Sequence, residues 1–86
     1  MSGSGRAGGD SSATVFIFDS TRSVIRAERL CRGAGLEIRV IPVPRSISPR
    51  CGMALEAAGR IEETVRHLLA EAGIDAGTVD RRDVTL

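Results

Sequence analysis

The spacing of apolar residues changes repeatedly along the chain, and each change predicts an element. Residues 14–20, TVFIFDS, form a short β-branched and aromatic run, apolar on both faces as in a central strand. Asp19, Ser20 and Thr21 then supply the chemistry of a helix N-cap. From Thr21 to Ala34 the apolar residues Val24, Ala27, Leu30, Cys31 and Ala34 recur at helical spacing. Arg22, Arg26, Glu28, Arg29 and Arg32 take the other side, and Ile25 is the one apolar misfit. Gly35 follows where a left-handed cap is needed. Residues 36–43 alternate, with Leu36, Ile38 and Val40 opposite Glu37 and Arg39. That pattern is a strand with one buried face, and Pro42 marks its end or a sheet edge. The loop PRSISPR, residues 44–50, comes next, stiffened by Pro44 and Pro49.

The stretch GMALEAAG reads two ways, as a strand or as the first turns of a helix running on to Ala72. Alanine and glutamate favour helix, whereas Gly59 would interrupt it at a cost of roughly 1 kcal/mol. The reading adopted is a strand over 53–58 and a helix from near Arg60. Ile61, Val65, Leu68, Leu69 and Ala72 make the stripe of that helix, closed by Gly73, and a weak strand over Thr78–Val84 ends the chain. LCRGAGLEIRVI and LLAEAGIDAGTV form a faint repeat, each a helix end, an Ala-Gly break and a run into a strand. The result is a βαββαβ order and an α+β fold class, expected as a ferredoxin-like sandwich with two helices on one face of an antiparallel sheet. Either Phe16 with Phe18 or Val15 with Ile17 must then face the uncovered side, a candidate homodimer or partner surface unless the tail or long arginine stems cover it.

Composition narrows the class. The chain has 86 residues, of which the first thirteen, MSGSGRAGGDSSA, are expected to be a flexible Gly/Ser-rich tail and 14–86 a single small domain. The tail is too polar for a secretory signal, and no run is long and apolar enough to span a membrane. The net charge of +1 and the presence of only two aromatic residues argue against a nucleic-acid binder. All twelve basic residues are arginine, which suits anion recognition. Cys31 and Cys51 lack a metal-ligand spacing and read as reduced cytoplasmic thiols, and no metal or cofactor is expected.

Cys31 lies on the apolar stripe of the first helix and reads as a core residue without chemistry. Cys51 lies in SPRCGMAL, at the mouth of a loop, beside Arg50 and before Gly52. An adjacent arginine and free backbone N–H groups favour a thiolate, and Gly52 leaves the approach to sulfur open. On these residues alone a reactive Cys51 and an inert, half-buried one both stand. Arg45 and Arg50 flank the loop, either as solubilising charges or as a grip on an anion or an acidic partner near the thiol. His67, the only histidine, falls on the polar side of the second helix, away from any nucleophile–base arrangement.

Taken together, FDSTRSVIRAERLCRGAGLEIRVIPVPRSISPRCGMAL resembles the small bacterial family of selenium/sulfur carrier protein-like domains. The matching positions are Phe18 with Ser20, Ala27 with Glu28, the segment Ile41, Pro42, Pro44 and Arg45, and Cys51 with Gly52. The resemblance runs to about Val79, and the chain departs from it in its long tail and in Cys31. It implies that Cys51 carries sulfane sulfur or selenium as a persulfide or perselenide, received from a donor protein and passed to an acceptor. Arg50, with Arg45, would stabilise the anion and Gly52 keep it accessible, so that "carrier" describes the protein better than "enzyme". The competing expectation, from another class, is a non-catalytic binding or regulatory module in which the sheet face docks a partner and Cys51 is incidental.

Overall fold

The computed structural model describes residues 12–85, so the expected tail lies outside the described residues except for Ser12 and Ala13. Six elements follow in the order β1 (Ala13–Ile17), α1 (Thr21–Gly33), β2 (Ile38–Pro42), β3 (Met53–Ala58), α2 (Glu62–Glu71) and β4 (Gly77–Asp80). The strands form one antiparallel sheet in the order β2-β3-β1-β4. The class is α+β. Pairing begins at Ala13, opposite Ala58, and Gly59 N–H donates to the Ser12 carbonyl at 3.1 Å. β1 thus includes Ala13, the last residue of the expected tail.

Ser20 is the residue that caps α1: its backbone is extended and its hydroxyl accepts from Ser23 N–H at 3.2 Å. β1 stops at Ile17, earlier than its composition suggested, because the turn into this cap has already begun. Val24, Ala27 and Cys31 are buried along one side of α1, and Ile25 is the one large apolar side chain left exposed among the described residues. Both helices close in the same way. Leu36 N–H donates to the Cys31 carbonyl, and Ile74 N–H to the Leu69 carbonyl, each at 2.9 Å. Gly35 and Gly73 sit between with φ of +78° and +71°. The faint sequence repeat is this shared helix stop.

The ambiguous stretch is a strand from Met53 to Ala58, preceded by a hairpin from β2 and followed by a 3₁₀ turn over Gly59–Ile61. Helix propensity loses because β3 sits between β2 and β1 and bonds to both. β2 lies at the sheet edge, where Pro42 is tolerated. The last strand is shorter than expected. After Asp80 the chain turns into a 3₁₀ turn over Arg81–Asp83, nucleated by the Asp80 carboxylate accepting Arg82 N–H at 2.9 Å.

The two faces of the sheet bury different sets. Phe16, Phe18, Ile38, Leu55 and Ala57 pack with Val24, Ala27 and Cys31 of α1 and Val65 and Leu69 of α2, so both helices cover one face. The opposite face carries Val15, Ile41, Val43, Ala54 and Val84, with Ile17, Ile47 and Val79 against them. Val15 and Ala54 have no exposure at all, and Val84 has 4 %. This second face, expected to be open, is covered within the chain by the segment after β2 and by the C-terminal turn. Arg81 pairs with Glu56 at 3.0 Å, and Arg39 approaches the same carboxylate at 3.8 Å.

The candidate site around Cys51

Cys51 ends the loop between β2 and β3. That loop is held by its own backbone: Ile47 and Ser48 N–H groups donate to the Pro44 carbonyl at 2.9 and 3.0 Å, and Gly52 N–H to the Ser48 carbonyl at 3.1 Å. Val43 N–H closes the base onto the Gly52 carbonyl at 3.0 Å. Gly52 has φ +66°, a left-handed conformation that an L side chain adopts only at a cost of roughly 1–2 kcal/mol. These four backbone bonds brace the loop that brings Cys51 to the start of β3.

The Cys51 sulfur is half-buried, against the rim of the core that contains Cys31. Its S–H donates to the Met53 carbonyl at 3.1 Å, with the Phe18 carbonyl further off at 3.8 Å. Ser48 Oγ lies 3.4 Å from it and is free to donate to sulfur while the thiol donates onward to a carbonyl. Ser48 has no exposed surface, which makes it a buried polar side chain whose partner is this sulfur. Ser48 is not among the residues that the sequence pattern singled out. The signal available was a serine before Pro49, three residues ahead of the cysteine, in a segment that proline already confines to a turn.

The two arginines separate. Arg45 folds across the loop, its Nη1 donating to the Pro49 carbonyl at 3.3 Å, and its Nε lies 3.6 Å from where a side chain at Gly52 would begin. Arg50 is exposed and bonds to no other described side chain or carbonyl. No hydrogen bond joins either guanidinium to the sulfur; Arg45 lies against Gly52 and the loop backbone, and Arg50 is left in solvent.

Cys31 is the opposite case, with no exposure and a thiol pushed up from its ordinary value by burial. His67 is exposed and stands 3.4 Å from Glu71, on the outer side of α2. Among the described residues no group of three His, Cys, Asp or Glu side chains is placed to hold a metal ion. No described helix is long and apolar enough to cross a membrane.

The order of motifs about this thiol is that of one family, and residues 13–79 match the family model described as "Putative Se/S carrier protein-like". The chain belongs to this family. The match covers all four strands up to Val79 and both helices, and it stops before the C-terminal turn that covers the second sheet face. No curated protein and no solved structure matches the chain.

Proposed function

We propose that the protein carries sulfane sulfur or selenium on Cys51. In loading, the Cys51 thiolate attacks the terminal sulfur of a donor persulfide, the donor's S–S bond breaks, and the donor leaves as a thiolate. Cys51 then bears a persulfide, and an acceptor nucleophile that attacks its outer sulfur releases the Cys51 thiolate again. The same bookkeeping holds with selenium as the outer atom. Nothing in the exchange needs an external oxidant.

The observation that carries this reading is the half-buried Cys51 sulfur at the end of a braced loop, in a chain whose family is described as carrier-like. Ser48 would hold the sulfur, and Arg45 would lie beside the cargo; Arg50, free in solvent, would act only by swinging in. The βαββαβ order with β1 and β3 central supports naming the fold a ferredoxin-like sandwich. Donor and acceptor proteins would supply specificity; among the described residues no acidic or basic side chain bonds to the sulfur. Two free thiols fit a reducing, cytoplasmic setting. The alternative of a binding module, or a homodimer formed through the second sheet face, is disfavoured because that face is already buried by the chain's own residues.

The test is intact-mass analysis of the full chain after incubation with glutathione persulfide. The expected result is a gain of one sulfur atom, retained in Cys31→Ala, absent in Cys51→Ala and removed by added thiol. An equal gain in Cys51→Ala, or none in the unsubstituted chain, would refute the carrier role.

A further inference from the structure

The formal charge of the chain is nearly balanced, at +1, yet its positive groups are unevenly neutralised. Among the described residues Arg32, Arg39, Arg66, Arg81 and Arg82 each stand within ion-pair distance of a carboxylate. No such pair neutralises Arg22, Arg26 or Arg29 on α1, nor Arg45 or Arg50 in the cysteine loop. Within Asp19–Leu30 the only carboxylates are Asp19 and Glu28, and Glu28 is spent on Arg32 at 3.0 Å. Apart from Arg60, the described arginines without such a pair therefore gather on one helix and one loop.

These two segments adjoin at the thiol. The Phe18 carbonyl faces the Cys51 sulfur at 3.8 Å, and α1 starts at Thr21, so its arginines lead away from Cys51 along an exposed surface. Ile25, 43 % exposed, stands among them as the one exposed large apolar side chain of the described residues. Beside it, Arg26 and Arg29 wall a shallow groove of about 370 Å³ with Leu30, Ala72 and Ile74 on its floor. Arg26 is steadied there by donating to the Ala72 carbonyl at 3.4 Å.

From this surface we infer that the outer face of α1 is the docking site for the protein that exchanges sulfur or selenium with Cys51, and that the partner presents an acidic surface bearing apolar side chains. The identity of the partner as donor or acceptor rests on the carrier reading of Cys51; the chemistry of the surface does not. From Arg22 to Arg29 the stripe runs roughly 10 Å along the helix, beyond the reach of a single small anion. An apolar groove and an exposed isoleucine among arginines fit a carboxylate-rimmed apolar patch, not a phosphate backbone. Unneutralised arginines steer such a partner and set its register, while the apolar contact at the centre supplies affinity.

The probe is a fluorescent amphipathic helical peptide of leucine and glutamate, beside its glutamine counterpart, titrated by anisotropy into the full chain carrying Cys51→Ser. The glutamate peptide is expected to bind about tenfold more tightly at low ionic strength, with the gap closing towards about 0.5 M salt. The triple substitution Arg22→Glu, Arg26→Glu and Arg29→Glu should bring it down to the glutamine level. Arg60→Glu, a change at an exposed arginine outside α1 and the cysteine loop, should leave it intact. Circular dichroism, and single Arg→Gln changes each giving a partial loss, guard against misfolding of the triple variant. Equal binding of the two peptides, an unaffected triple variant, or tighter binding of a single-stranded RNA oligomer would each overturn the inference. Because binding is read without Cys51, discrimination between the peptides sustains the docking face even where persulfide loading fails.

Discussion

The two cysteines of this chain touch the same core from the same side of the sheet, yet they are held in opposite ways. Cys31 lies on a helix whose closed backbone turns its side chain inwards, and its own carbonyl accepts the N–H that stops the helix. Helix, sheet and cap enclose its thiol on every side, and it has no exposure. Cys51 stands at the first step out of a loop, where the neighbouring backbone turns away at Gly52 and the sulfur is held by one hydroxyl and two carbonyl oxygens. The contrast teaches that accessibility is set by the element a thiol sits on and by what packs over it.

The largest expected effect is on reactivity. Iodoacetamide at neutral pH should label Cys51 at least about a hundredfold faster than Cys31 in the folded protein, because Cys31 reacts only through opening of the core. Peptide mapping by mass spectrometry reads the ratio, and strong denaturant should bring it near one. Equal rates in the folded protein would erase the distinction between the two sites. Arg45→Ala should slow Cys51 labelling more than Arg50→Ala does, since Arg45 lies across the loop and Arg50 projects into solvent.

Stability gives a second, smaller effect of opposite order. Cys31→Ser places a hydroxyl in the sealed core and should cost about 1–3 kcal/mol in urea unfolding, less if the hydroxyl bonds back to its own helix. Cys51→Ser keeps a donor beside the Met53 carbonyl and should cost under about 1 kcal/mol. A larger loss at Cys51 would mean that the loop, not the helix, is the better-packed region.

The smallest effect is the alkaline limb of stability. The chain has no lysine and no tyrosine to obscure the alkaline range, so the buried Cys31 thiol can be read there. Burial raises the Cys31 thiol in the folded state. Its contribution is fully present below the unfolded thiol's value, roughly pH 8.5, and is lost as pH rises through the folded value. Unfolding free energy should therefore fall above that pH in the unsubstituted chain, and Cys31→Ala should flatten the decline. A slope that survives this change would assign the titration elsewhere.

Much of the fold was legible because it rests on local chemistry. Ser20 could be read as a cap candidate, Gly35 and Gly73 as left-handed stops, and the alternation of Ile38, Arg39 and Val40 as a strand facing one core. The strand at Met53–Ala58 was legible only by giving weight to Gly59 against helix propensity, and its pairing on both sides is what decides it. The end of β4 was misread because the turn-forming role of Asp80 outweighs the apolar pattern that continues to Val84.

What the sequence determined by itself were the periods, the stops, and the difference between a cysteine on an apolar stripe and one at a loop mouth. These depend on residues within one or two turns of each other. Only the tertiary structure decided which pair in β1 meets the helices, that Ile47 and Val84 bury the second face, that Ser48 lies against the Cys51 sulfur, and that Arg45, not Arg50, lies across the loop. Those outcomes depend on strand register and on segments tens of residues apart converging on one place. No local pattern encodes such a meeting, because each segment could bury its apolar side chains against several others and only the whole packing selects among them.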